Sequence, residues 1–187
     1  PVYYAALGKD TEGKNTTLYR LLLTENGKAL GASVEYGADL TLETQKWGGE
    51  AWTQADETVS YQAAAPGAAA DIKTGYFPQT AGQYTFSAKD SNGGKIASAV
   101  LTVTPRRLTI RPAWDTAPTA LQDIRLDFVG ALESDRDALT NSLTVSDINE
   151  YFSNPDRTGV FTFAPQWKET EHSRRLQSAY SVTLQTN

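Results

Sequence analysis

Cysteine is absent from the 187 residues of this chain. That one absence removes disulfides, thiol catalysis and cysteine-ligated metals together. It also weighs against a eukaryotic secreted origin, since small extracellular domains there often lean on disulfides, whereas bacterial surface proteins frequently do without them. Methionine is absent too and the first residue is Pro1. The sequence therefore reads as an excised or processed piece, and a missing signal peptide says nothing about localisation. Histidine occurs once, as His172 in the polar run 168–175, which reads as a surface loop. A lone histidine has no partner for a triad, and a zinc site built around it would rest on carboxylates, which is unusual for that metal. No Gly-x-Ser-x-Gly elbow marks a serine hydrolase. No apolar run approaches the roughly 18 residues that span a bilayer.

Positive charge is also in short supply. Against 22 Asp and Glu stand 17 Lys and Arg, for a net charge of −5. The pairs Arg106-Arg107 and Arg174-Arg175 are too short to form the clustered patch that nucleic acid or an anionic membrane surface requires. No nucleic-acid partner and no membrane span are expected.

What is present is the composition of an ordinary folded domain, 40% hydrophobic and 21% charged, at a length that suits one large domain or two small ones. Short alternating runs recur along the chain. Residues 2–7 and 16–23 read as strands, Asn26-Gly27 as a turn with positive φ, and Leu40-x-Leu42 and Val59-x-Tyr61 as further strands. The stretch 63–70 reads as strand end, turn and strand start around Pro66-Gly67. Leu108-x-Ile110, Ile124-x-Leu126-x-Phe128 and residues 160–164 and 179–184 continue the pattern. Helix signals are few: Ser134-x-x-Asp137 suits one turn, and Asp147-x-x-Glu150 is a better capping box, stopped at Asn154-Pro155. Many short strands with little helix are the pattern of β-sandwiches.

Residues 80–107 organise the chain. Gly82-x-Tyr84-x-Phe86 leads an alternating strand, residues 90–94 turn it, and Ala97, Ala99, Leu101 and Val103 mark the inward face of the return. The next residues, Thr104-Pro105-Arg106-Arg107, form a stiff boundary with modest interdomain contact and some hinge freedom expected. A weak echo of residues 80–86 recurs at Arg157–Phe163, with Phe161 where the first copy has Tyr84.

The Gly82-x-Tyr84-x-Phe86 element resembles the tyrosine corner of immunoglobulin-like sandwiches, whose hydroxyl bonds back to upstream backbone. The run from Ala81 to Phe86, followed by Leu101-Thr102-Val103-Thr104-Pro105, is similar to the end of bacterial immunoglobulin-like surface modules. The step onward to Leu108-Thr109-Ile110 looks like the junction between MBG-type repeats, and residues 134–139 and 180–184 fit that family loosely. The Tyr-Gly-Asp signature common in such repeats does not follow Ile110. The resemblance implies an extracellular or wall-attached bacterial protein in which such modules serve as stalk or adhesive parts.

Several residues are candidates for chemistry. Trp47 and Trp52 flank Gly48-Gly49, and two readings stand: a stacking platform for a sugar ring, or packing that braces the loop. Trp114 and Trp167 near strand ends read as core or interdomain residues. Glu133-x-Asp135-x-Asp137 sets hard oxygen ligands at alternating positions, which suits calcium, although the glycine and distal Glu of an EF-hand loop are missing. Asp10-Thr11-Glu12 and Asp90-Ser91-Asn92 are weaker versions. Paired-carboxylate glycosidase chemistry has many acids to draw on, yet solvated loop charge explains them better. Asn15-Thr16-Thr17 matches a glycosylation sequon, which has no meaning in a bacterial source. No motif fixes the triad of an intramolecular Lys–Asn isopeptide bond.

The expected fold is therefore all-β, two tandem immunoglobulin-like β-sandwich modules over residues 1–105 and 106–187. The expected protein is monomeric, extracellular at a bacterial cell surface or cell wall, and not an enzyme. Its expected role is spacer or stalk with adhesion or protein interaction, its partners a host or cell-surface protein or a glycan. No cofactor is expected, calcium being the one metal the residues favour. The alternative role is a carbohydrate-binding module that uses Trp47 and Trp52.

Overall fold

The computed structural model describes residues 2–5, 7–9, 15–55, 58–65, 68–113, 125–146 and 164–185. These are mostly β-strand, so the chain is β-rich as its alternating pattern predicts. It divides into two compact units, Pro1–Thr104 and Pro105–Asn187.

In the first unit the strands are β1 (Val2–Ala5), β2 (Leu7–Lys9), β3 (Asn15–Glu25), β4 (Lys28–Ala29), β5 (Ser33–Glu35) and β6 (Leu40–Trp47). They are followed by β7 (Trp52–Gln54), β8 (Ser60–Ala65), β9 (Ala68–Ile72), β10 (Gly75–Tyr76), β11 (Gly82–Lys89) and β12 (Lys95–Thr104). One sheet runs β1-β12-β11-β8-β9, with β5 lying parallel on β12. The other runs β10-β6-β3-β2, with β4 on β3 and β7 on β6. Alternation decides which side chains meet between them. Tyr84, Phe86 and Ala88 of β11 and Ala97, Ala99, Leu101 and Val103 of β12 are buried from one sheet. Leu21, Leu23, Leu40 and Leu42 are buried from the other. Tyr76 of β10 bridges the two, its ring centroid 6.1 Å from Tyr84 and 5.7 Å from Phe86. Burial, and then the neighbouring Tyr84, pushes the Tyr76 phenol above its ordinary pKa.

The local signals act as read. Asn26 and Gly27 both take positive φ, 49° and 77°, and close the β3–β4 hairpin. Asp90 Oδ1 accepts the backbone N–H groups of Asn92 at 3.0 Å and Gly94 at 2.8 Å, which fixes the β11–β12 turn. The hydroxyl of Tyr84 donates to the Thr80 carbonyl at 2.9 Å and accepts from the Thr80 N–H at 3.3 Å. That is the backward bond expected of the tyrosine corner.

The second unit mixes strand and helix. Strand β13 (Arg106–Ala113) pairs antiparallel with β14 (Arg125–Val129) and parallel with β17 (Tyr180–Leu184). Between them come a 3-10 turn (Glu133–Asp135), α1 (Arg136–Ser142), an antiparallel pair of β15 (Leu143–Ser146) and β16 (Ala164–Trp167), and α2 (Glu171–Ala179). Leu108, Ile110, Phe128, Leu139, Leu176, Ala179 and Tyr180 are its buried residues of note. Gly130 follows β14 with φ 93°, and a Cβ there would stand 2.5 Å from the Arg107 carbonyl oxygen, so only glycine fits.

Two sequence expectations change here. The polar run holding His172 is not a loop: Thr170 caps α2 by accepting the Ser173 N–H at 3.1 Å, and Ser173, Leu176 and Ala179 recur at helical spacing on a buried face. The Ser134–Asp137 box does not form, because the helix that does begin there has Asp135 at its N-cap with no side-chain cap bond. Trp114, the Asp147–Glu150 box and the echo at Gly159–Phe163 lie outside the described residues.

Candidate functional site

The outer face of β3, β6 and β7 carries a cluster of polar and aromatic groups. Leu40, Leu42 and Thr44 of β6 turn inward and are buried, so parity sends Glu43, Gln45 and Trp47 outward. Register then sets Trp47 opposite Trp52 and Gln45 opposite Gln54 on β7. On the other side Arg20 of β3 faces Gln45, and Leu22 faces Glu43. One sheet face thus presents two indoles, two amides, a guanidinium and a carboxylate.

Trp47 and Trp52 are strand residues flanking a tight connection rather than members of a loop. The Gly48 N–H donates to the Ala51 carbonyl at 3.1 Å, and Gly49 takes φ 98°. The two rings lie 5.5 Å apart, tilted by 59°. Arg20 sets its guanidinium carbon 4.4 Å from the Trp52 centroid and donates from Nε to Gln45 Oε1 at 2.7 Å. A ring pair contributes about 0.5–1.5 kcal/mol beyond its area, and a cation over an exposed ring about 0.5–1 kcal/mol. Trp52 is therefore braced, half-buried, by Arg20 and its twin, while Trp47 keeps 41% of its surface in solvent. Neither indole N–H, nor the side chain of Glu43 or Gln54, has a hydrogen-bond partner among the described residues. The result is a pre-set aromatic edge beside unspent donors and acceptors.

The calcium candidates fall elsewhere, in the second unit. Glu133 accepts from Arg136 Nε at 2.6 Å. Asp135 is buried and accepts from the Tyr180 hydroxyl at 2.7 Å and Arg175 Nη2 at 3.2 Å. Asp137 is exposed in the first turn of α1. The stretch runs from 3-10 turn into helix, so the three carboxylates do not alternate as on a strand. Among the described residues no group of three or more His, Cys, Asp or Glu converges as metal ligands do. His172 is exposed on α2, and Trp167 is half-buried on β16 opposite Leu143.

Sequence reasoning singled out the tryptophans and missed Arg20, Glu43, Gln45 and Gln54. The inward leucines at 21, 23, 40 and 42 carry the parity that places them outward; the β3–β6 register that joins them has no local signal. No protein family, curated protein or solved structure matches the chain. No helix among the described residues is long and apolar enough to cross a membrane.

Proposed function

We propose that the chain is a non-enzymatic pair of modules from a bacterial cell-surface protein, the first immunoglobulin-like and the second mixed in strand and helix, serving as spacer and adhesive element. The Tyr84–Thr80 bond supports the immunoglobulin-like assignment of the first module. Adhesion is assigned to the outer face of β3, β6 and β7. Paired-carboxylate hydrolysis needs two facing acids, and the paired rungs of this face carry Glu43 alone. The setting is tested by antibodies raised to the chain: they should label intact cells of the source organism, and labelling confined to lysed cells overturns it.

A carbohydrate is the ligand class that the face fits, and the observation that carries this reading is the exposed Trp47 beside a braced Trp52. Pyranose rings offer C–H faces to indoles and hydroxyls to amides and carboxylates. Tryptophan emission should shift saturably on titration with oligosaccharides, and Trp47→Ala and Trp52→Ala should each weaken binding at least ten-fold. A glycan array without hits, or binding by both variants as tight as that of the native chain, sinks the reading.

A further inference from the structure

We infer that the break between β7 and β10 on the edge of β6 is a subsite for an acetamido group, so that the face selects N-acetylated saccharides. The inference rests on the stacking reading of Trp47 and Trp52. Strand β6 pairs with β7 at Gln45–Trp47 and with β10 at Leu40–Thr41. Between these pairings the edge opens, held by bonds from the Ala55 N–H to the Thr44 carbonyl at 2.9 Å and from the Leu42 N–H to the Thr74 carbonyl at 2.7 Å. A pocket of about 190 Å³ fills that gap.

Its lining is mixed in a particular way. Leu42, Ala55 and Val59 supply apolar surface, Glu43 and Gln54 a carboxylate and an amide, and Thr44, Tyr61 and Thr74 three hydroxyls. The Thr44 and Tyr61 hydroxyls bond each other at 3.0 Å. Of their two hydrogens one is used in that bond, which leaves one O–H for an incoming acceptor. Glu43 and Gln54 are without side-chain partners among the described residues. An acetamido group has a methyl for the apolar wall, an N–H for the Glu43 carboxylate, and a carbonyl for the remaining hydroxyl or the Gln54 amide. A bare sugar hydroxyl can donate and accept from its single oxygen, but it leaves the apolar wall uncovered. One methyl-sized group in an apolar pocket is worth about ten-fold or more in affinity, and the polar contacts add to that.

Position and size agree with this. Gln54 lies two residues past Trp52, about 7 Å along the strand, so a ring resting on the indoles sends a ring substituent toward the pocket. The volume of about 190 Å³ has room for several waters, more than a hydroxyl fills. Leu42 and Thr44 are buried while Gln54 and Thr74 are exposed, so the pocket reaches solvent at both ends, and its Gln54 end is the side of the tryptophans.

The test titrates the whole chain with three β-1,4-linked tetrasaccharides of N-acetylglucosamine, glucose and glucosamine, which differ only at the 2-position. The N-acetylated form should bind at least ten-fold tighter than the glucose form. Ala55→Leu, which fills the pocket, and Glu43→Ala, which removes the acceptor, should each cut that preference below three-fold; thermal melts identify any variant that fails to fold, and the other then decides. Equal binding of all three sugars by the native chain overturns the pocket inference and leaves stacking intact. Preference for the glucosamine form, whose ammonium Glu43 would attract, overturns it also. Binding of none removes the stacking reading beneath it.

Discussion

Tyr84 is 1% exposed, and its hydroxyl holds Thr80 through carbonyl, N–H and side-chain oxygen contacts between 2.9 and 3.3 Å. Tyr84→Phe keeps the ring, with its 5.7–6.1 Å neighbours around Tyr76 and Phe86, and deletes only those bonds. The cost expected is about 1–2 kcal/mol, because the Thr80 backbone is left without its partner in a half-buried place. Urea unfolding should show a lower midpoint with an unchanged slope, and an unmoved midpoint would contradict the bond's role. This residue was legible from sequence because its signals are local: a glycine two before it, alternation around it, and a turn just upstream. Asn26-Gly27 was legible for the same reason. Arg20 was not, since nothing near it in the chain hints at the indole it covers; that contact exists only once β3 and β6 are in register.

At the scale of elements the same division holds. Antiparallel hairpins such as β11–β12 announce themselves through a turn and matched alternation. Parallel pairings do not, and both β5 on β12 and β17 on β13 join segments far apart in sequence. Helix α2 was concealed by its composition. Nine residues long, it exposes Glu171, His172, Arg174, Gln177 and Ser178 and buries Ser173, Leu176 and Ala179. A helix that short is marginal by itself, so its stability comes from the surface it covers rather than from propensity. The calcium reading rests on spacing alone, and spacing does not say what a carboxylate faces: Asp135 meets Tyr180 and Arg175 because α1, α2 and β17 converge there, and Leu132 completes the joint by donating its N–H to the Tyr180 hydroxyl at 3.0 Å.

For the whole molecule, the two compact units each have a hydrophobic interior, Tyr84, Phe86 and Leu101 in one and Leu108, Ile110 and Leu176 in the other. A spacer built of such units keeps its adhesive face intact when one unit yields, provided the cores unfold separately. Asp135→Ala tests this together with Tyr84→Phe. Asp135 has only 7% of its side chain exposed, and its removal takes a charged acceptor from a buried tyrosine and a counter-charge from Arg175. The expected loss is about 2–3 kcal/mol. In a unit of this size each kcal/mol moves the midpoint by about 4–8 °C, so both substitutions are within reach of scanning calorimetry. The native chain should show two transitions. Tyr84→Phe should lower one and Asp135→Ala the other, and glycan binding by the β3-β6-β7 face should survive melting of the second unit. A single transition that both substitutions move would mean one cooperative core, and the independence on which the proposed spacer role depends would fall with it.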